Sequence, residues 1–345
     1  MTRTVTRRAA VLSAMAGAAI LAGATFAYAQ GDRSYILATA TTGGTYYPVG
    51  VALATVTKVK LQPTEKISMS AITSAGSAEN IKLLGENEAQ FAILQGLYGA
   101  WAWTGTGDVS GKAPQKDLRS VSMLWQNVEH FTIDAADVKT GDMSDMANLK
   151  GKKFSIGKRN SGTEGSGRTI LNGLGIDPDQ TFDLVYQGYG PSADALQNGV
   201  ISGMNTPAGA PVSAVTRAAA ALGDKIRVLD FTDEQLNAVN EEAGLELWTR
   251  YVIPAETYPA QAADIRTIAQ PNFLAVRGDV DEDAVYKITK TIYENLGFLQ
   301  GIHAATKVMA LEKAISGLPF PLHPGAAKYY EEQGIKIPEK LKPPK

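Results

Sequence analysis

Thr41-Thr42-Gly43-Gly44-Thr45-Tyr46-Tyr47-Pro48 follows an apolar run at 34–40 that reads as a strand, and opens a helical pattern at 49–57. A strand that enters a glycine-rich loop and leaves as a helix is the repeating unit of an open α/β sheet, and ligands bind at that corner. Adjacent glycines let a ligand approach the backbone closely. The amides at the start of a helix lack intrahelical partners and sit at the positive end of its dipole. Three threonine hydroxyls and two tyrosine rings complete a loop suited to a small organic anion. Taken alone, the same residues also describe a tight turn before a capped helix.

The strand-loop-helix unit recurs. A second strand at 67–72 runs into Thr73-Ser74-Ala75-Gly76-Ser77-Ala78-Glu79-Asn80 and a helix at 78–86, and a third at 90–94 ends at Gln95-Gly96. Ser74 or Ser77 is either the N-cap of that helix or a hydroxyl for a ligand. These loops and Gln95 are expected to converge on one sheet edge. The pattern then restarts: strand-like runs at 118–125 and 131–134 carry a crossover, and a strand at 154–156 enters Gly157-Lys158-Arg159-Asn160-Ser161-Gly162-Thr163-Glu164. A helix at 165–174 follows, then a strand at 182–186 ending in Gln187-Gly188-Tyr189-Gly190-Pro191-Ser192, and a turn Asn205-Thr206-Pro207-Ala208. Corners rich in Gly, Ser and Thr, one set in each half, would face each other across a cleft.

Residues 1–29 carry Arg3, Arg7 and Arg8 and no acid, then an alanine-rich apolar stretch ending in Ala27-Tyr28-Ala29. This is the pattern of an export signal cleaved after Ala29, and Thr6-Arg7-Arg8 before an apolar run is similar to a twin-arginine signal. Read as a membrane anchor instead, the stretch is broken by Ser13, Gly17, Gly23 and Thr25 and is weakly hydrophobic for a span. No lipobox cysteine is present, so the expectation is a protein free in the periplasm. The 316 residues that remain exceed the usual size of one domain and suggest two. They hold 30 basic and 35 acidic residues, a formal charge of −5, with no Lys/Arg block, which disfavours nucleic acid and anionic membranes as partners.

The equipment for catalysis is sparse. With no cysteine there is no disulfide, thiol nucleophile or thiolate metal site, and His130, His303 and His323 are too scattered for a metal-ligand pair. The glycines at 162, 165 and 167 are not followed by the Gly-Lys-Ser/Thr of a phosphate loop, and the acidic run at 279–283 lacks the ligand spacing of a calcium loop. That run precedes an amphipathic pattern at 284–296, where acids favour a helix start. No metal or other cofactor is expected. A serine hydrolase would need a base within reach of its nucleophile. None of the histidines stands where it supplies one, and Glu164 beside Ser161 reads better as a helix-start residue.

Gly43-Gly44-Thr45-Tyr46-Tyr47-Pro48-Val49-Gly50, the serine-rich loop and helix at 73–84, the Phe91-Ala92-Ile93-Leu94-Gln95 strand, Ser161-Gly162-Thr163-Glu164 and the segment 321–334 together resemble the TAXI class of solute-binding proteins. That class serves TRAP-type (tripartite ATP-independent periplasmic) transporters. The resemblance covers nearly the whole exported chain and implies an α/β protein with the type II periplasmic-binding-protein fold: two α/β lobes around a ligand cleft, with a hinge crossed twice. Lobe I is expected at 30–129 plus 268–345 and lobe II at 130–267. The implied ligand contacts are Gly43, Gly44, Thr45 and Tyr46 in the first loop, Ser74, Ser77 and Asn80 in the second, Gln95 in the third, and Ser161, Gly162 and Thr163 in the second lobe, with Asn205 added from the turn at 205–208. That turn departs from the class pattern, as do Arg159 and Asn160, which stand where proline and glycine are more usual. Arg159 reads as an added anion contact or as a surface charge beside the cleft. The implied function is capture of a small carboxylate, such as 2-oxoglutarate or glutamate, for a TRAP-type membrane permease driven by an ion gradient. A sensory protein presenting its ligand to a receptor would have the same fold, and a periplasmic hydrolase remains a third reading.

Overall fold

The computed structural model describes residues 31–344, so the export signal read at 1–29 lies outside the described residues. In chain order the strands are β1 Arg33–Ala38, β2 Ile67–Ile72, β3 Phe91–Gln95, β4 Leu118–Val128, β5 Phe131–Asp134, β6 Lys153–Ser155, β7 Asp183–Val185, β8 Gly203–Asn205, β9 Ile226–Val228, β10 Thr249–Ile253 and β11 Ile265–Arg277. The helices are α1 Tyr46–Glu65, α2 Ser77–Gly85, α3 Gly96–Thr104, α4 Gly162–Gly173, α5 Pro178–Thr181, α6 Tyr189–Gln197, α7 Ser213–Leu222, α8 Asp233–Ala243, α9 Glu282–Glu294, α10 Leu296–Ile302 and α11 Pro324–Glu332.

Two mixed sheets organise the chain. The first has the order β10-β11-β3-β1-β2, with β4 also paired to β11, and the second has the order β7-β6-β8-β5-β9. β1 pairs in parallel with both β2 and β3, so each connection must cross over through a helix, α1 or α2, and every such strand ends at the same sheet edge. All five residues of β3 are buried, as expected for a strand covered on both faces. β6 repeats this arrangement in the second sheet, parallel to β7 and β8.

The chain passes between the sheets beside Glu129 and His130, which join β4 to β5. Strand β11 lies alongside: the Glu129 amide donates to the Ile268 carbonyl at 2.9 Å, and Thr267 Oγ1 donates to the Glu129 carbonyl at 2.8 Å. β11 serves both halves. Residues 272–276 pair with β3, whereas its first residues pair with β10, and Ile253, Tyr258, Ile265 and Ala269 pack with Val215 and Met204 of the second half.

Two elements differ from the sequence expectation. Helix α1 runs about two turns beyond residue 57 to Glu65, where Lys66 adopts a left-handed φ of 56° and ends it. The chain 249–277, in which no strand was expected, forms β10 and the 13-residue β11. Pro271 stands inside β11 opposite Gln126, a residue type normally kept out of sheet interiors.

Candidate functional site

The first residues of α1, α2, α4 and α6, and Gln95 just before α3, meet at one cavity between the two sheets. Its lining takes Gly44 to Tyr46, Ala75 to Ser77 and Gln95 from the first half, and Ser161 to Thr163, Gly188 and Tyr189 from the second. Ala40, Thr41, Asn127, Lys158, Pro207 and Ala208 complete it. Five helix N-termini therefore point at one volume. Three of them, those of α1, α2 and α6, have no side-chain cap, whereas at α4 Ser161 Oγ accepts from the Glu164 amide at 3.0 Å and at α3 Gln270 Oε1 accepts from the Leu97 amide at 2.9 Å. Uncapped amides at positive dipole ends are a ready site for an anion. The lining contains one charged side chain, Lys158, and no carboxylate.

The space open to the centre of a water molecule is about 40 Å³. Treated as compact and enlarged by the water radius, that corresponds to roughly 180 Å³, the volume of about six waters. A small organic acid fits this space and a disaccharide does not.

Hydrogen bonds fix which polar groups face inward. Tyr46 OH donates to Asn272 Oδ1 at 2.6 Å, and Asn272 Nδ2 donates to Asn127 Oδ1 at 3.3 Å, so Asn127 keeps its Nδ2 donor for the cavity. That Nδ2 and Gln95 Oε1 are buried without a partner among the described residues. Each such group costs about 1–3 kcal/mol unless a ligand satisfies it. Thr163 Oγ1 lies 2.7 Å from Tyr189 OH, which donates to the Pro207 carbonyl at 2.6 Å, tying α4, α6 and the 205–208 turn together. Burial holds the Tyr46 and Tyr189 phenols far above their ordinary range, so both remain donors at any physiological pH.

Of the sequence-based candidates, Gly44, Thr45, Tyr46, Ser77, Gln95, Ser161, Gly162 and Thr163 line the cavity. Gly43, Ser74, Asn80 and Asn205 do not. Ser74 Oγ donates to the Thr39 carbonyl and lies 2.7 Å from Asn80 Oδ1, while Asn80 Nδ2 donates to the carbonyls of Thr39 and Ile93. These two residues tie the ends of β1 and β3 to α2 and have their polar atoms spent on backbone. Neither serine caps α2: the N-cap is Gly76, whose φ of 128° is a conformation that a side chain opposes. Asn205 is buried against α4 at Gly167, with neither side-chain polar atom partnered among the described residues. Asn127, Lys158 and Tyr189 were not singled out in the sequence. Lys158 and Tyr189 belong to the two second-half loops and could have been; Asn127 sits inside β4, where nothing in the local pattern marks it.

The halves also touch directly. Thr45 Oγ1 donates to the Gly209 carbonyl at 3.2 Å and accepts from the Gly209 amide at 3.1 Å, and Ser213 Oγ donates to the Gly43 carbonyl at 2.9 Å. On the opposite rim the Glu79 amide donates to the Asn160 carbonyl at 3.1 Å, and Tyr98 OH lies 3.3 Å from the Ser161 carbonyl. This is a closed arrangement. A Cβ on Gly76 would stand 3.4 Å from the Gly162 amide nitrogen, and a Cβ on Gly162 would stand 2.6 Å from Gln95 Oε1 and 2.9 Å from Ser77 Oγ.

Glu129, at the crossover, is wholly buried, with Trp248 Nε1 donating to its Oε1 at 3.1 Å and Oε2 unpartnered among the described residues. Burial pushes its carboxyl up to about 8, against smaller opposing effects of Trp248 and Gln270, so at neutral pH it is protonated and puts no negative charge beside the cavity. Its neighbour His130, also buried, is pushed down to about 4 and stays neutral, lying 2.7 Å from Tyr258 OH. Among the described residues no group of three His, Asp or Glu side chains could hold a metal ion, and no helix is long and apolar enough to cross a membrane.

Solved structures share this two-lobe architecture. MatC from Rhodopseudomonas palustris with bound malate is 14% identical, with 88% of this chain and 96% of that chain covered at a TM-score of 0.52. The periplasmic binding protein BugD is 12% identical, with 89% and 95% covered at a TM-score of 0.50. The fold is thus that of periplasmic binding proteins, as the sequence led us to expect. At the level of sequence the NMT1-like family matches residues 37–334, nearly the whole described chain, and the protein belongs to that family.

Proposed function

We propose that the protein is a periplasmic solute-binding protein that captures a small carboxylate and delivers it to a TRAP-type membrane permease for ion-gradient-driven uptake, as its resemblance to the TAXI class suggests. One observation carries the ligand class: five helix N-termini, three without a side-chain cap, surround a small cavity whose lining has one lysine and no acid. A carboxylate there accepts backbone amides and the Asn127 donor, and its charge meets only positive dipole ends and an ammonium group. In this reading Gly44, Thr45, Tyr46, Ser77, Gln95, Asn127, Lys158, Ser161, Gly162, Thr163 and Tyr189 form the site. Tyr46 and Tyr189 position their neighbours, and Ser74 and Asn80 brace the loops. The lobes are 33–129 with 268–344, and 130–267, hinged where Glu129 lies against Ile268. Binding from both lobes stabilises the closed state, which is what a permease would recognise.

A thermal-shift screen of residues 30–345 against 2-oxoglutarate, L-glutamate, L-malate, monocarboxylates, neutral amino acids and sugars tests the ligand class. A ligand that binds only the folded state adds about 2.7 kcal/mol at a hundredfold excess over its Kd. We expect a saturable shift with a small carboxylate and none with sugars. Stabilisation by a neutral sugar alone would sink the anion reading. Transport of the identified ligand in vesicles carrying the permease, driven by an ion gradient without ATP, tests the partner.

A further inference from the structure

Just outside the cavity lies a second, open concavity of about 590 Å³ that shares Ala75 and Lys158 with it. Its walls come from both halves: α2 and the segment after α3 on one side, the loop before α4 and Tyr186 on the other. Four cations line it, Lys82, Lys112, Lys158 and Arg159, against two carboxylates, Glu79 and Asp108. Both carboxylates are engaged locally, since Glu79 accepts from the Ala75 amide and Asp108 accepts from Tyr98 OH at 2.6 Å. Lys82 also lies 3.7 Å from Glu86, and four cations against two lining carboxylates leave the mouth basic on a chain whose exported part is acidic overall.

Arg159 is held in place. Its guanidinium stacks on the Tyr186 ring, 3.6 Å from the centroid, and the ring is fixed by Arg168, which donates to Tyr186 OH at 2.9 Å and to Asp179 Oδ2 at 2.7 Å. Such a stack fixes the plane of the guanidinium and leaves its N–H edges to meet a carboxylate. The neighbouring Asn160, with a left-handed φ of 62°, makes the rim contact to α2, so the residue that carries the charge is adjacent to the one that closes the cleft.

We propose that this vestibule is an anion capture site: Arg159, Lys82, Lys112 and Lys158 draw a carboxylate to the mouth, and Lys158, common to both volumes, passes it to the helix N-termini within. The proposal rests on the small-carboxylate reading of the cavity. Charges that act before the bound state forms change the association rate and its salt dependence and leave dissociation alone.

The test is stopped-flow tryptophan fluorescence with 2-oxoglutarate, L-glutamate and L-malate as probes, comparing the wild type with the triple variant K82Q/K112Q/R159Q, which leaves Lys158 intact. At low ionic strength the variant should associate about three- to tenfold more slowly, with dissociation within about twofold of wild type, and about 0.3 M salt should erase the difference. Arg159→Lys in the wild-type background, which keeps the charge, should retain most of the rate. An unchanged association rate with an unchanged salt slope overturns the capture site while leaving the cavity reading intact, and so does a loss confined to dissociation. Failure of every probe to bind the wild type at millimolar concentration overturns the small-carboxylate reading and the capture site with it.

Discussion

Replacing Glu129 by Gln should make the protein more stable at alkaline pH, by an amount the structure sets. The carboxyl is fully buried at the crossover, and burial raises it from 4.5 to about 8. In the unfolded chain it ionises near 4.5, so between 4.5 and 8 the unfolded state has lost a proton that the folded state keeps. Stability from this group is therefore complete below 4.5 and falls as pH rises towards 8. At 1.36 kcal/mol per unit, the loss over that window is about 5 kcal/mol at most. Gln keeps the acceptor for Trp248 Nε1 and cannot ionise, so the difference between variant and wild type isolates this one proton. Urea unfolding of residues 30–345 at pH 5, 6.5, 8 and 9 reads it. Relative to wild type, Glu129→Gln should gain steadily from pH 5 to 8 and then level off. In thermal melts a gain of 5 kcal/mol amounts to about 7 °C for a chain of this length. Parallel stability curves for the two proteins across this range would refute the claim that Glu129 is buried in its neutral form.

Other perturbations test the site and the closure. Gly162→Ala places a Cβ against Gln95 and Ser77 across the cleft, so calorimetry should show carboxylate affinity reduced at least about tenfold, while the ligand-free melting temperature changes little. Asn127→Ala removes the inward amide donor and leaves Asn272 Nδ2 without its acceptor; binding should weaken by about 1.5–3 kcal/mol, measured by calorimetry with the carboxylate identified in the screen. Thr45→Val deletes both hydrogen bonds to Gly209, so the closed state should release ligand about tenfold faster in stopped-flow chase experiments, with association nearly unchanged. His130, pushed down to about 4 from 6.5, contributes stability that is complete above 6.5 and lost as pH falls towards 4, about 3 kcal/mol in total. His323 is likewise pushed down to about 4, so between 4.5 and 6.5 two histidine slopes oppose the one of Glu129; wild-type stability should rise with pH there by about 1.4 kcal/mol per unit from these three groups, and urea unfolding of His130 and His323 variants on a fine pH grid checks this.

Much of the fold was legible because the strand-loop-helix corners are written locally. Thr41 to Pro48, Thr73 to Asn80 and Ser161 to Glu164 each announce a helix start after an apolar run, and parallel pairing then forces the starts to one sheet edge. What stayed hidden depends on contacts distant in sequence. β11 contains Pro271 and shows no alternation because its residues from Thr267 to Val276 are all buried, so no period of two marks it. Ser74 and Asn80 look like ligand contacts in a serine-rich loop; only the folded chain shows their polar atoms turned back on Thr39 and Ile93. Asn127 is the converse, a strand residue without local signature that becomes a donor because Asn272, 145 positions later, occupies its carbonyl oxygen.

Glu129 also bears on the charge that a ligand in the cavity would meet. A carboxylate near an anion site would oppose binding, and its charge is felt at both Tyr46 and Tyr189, whose phenols it helps to raise. Burial at the hinge removes that opposition by keeping the group protonated at neutral pH, at the cost of stability that is lost as pH rises from 4.5 to about 8. Anion binding and the protonated form of Glu129 therefore favour each other, a linkage that must hold in both directions. Affinity for a carboxylate should decline as pH rises through 8 in the wild type and stay level in Glu129→Gln. Calorimetry at pH 7 and 9 decides it, since an equal decline in both proteins would place the titrating group elsewhere.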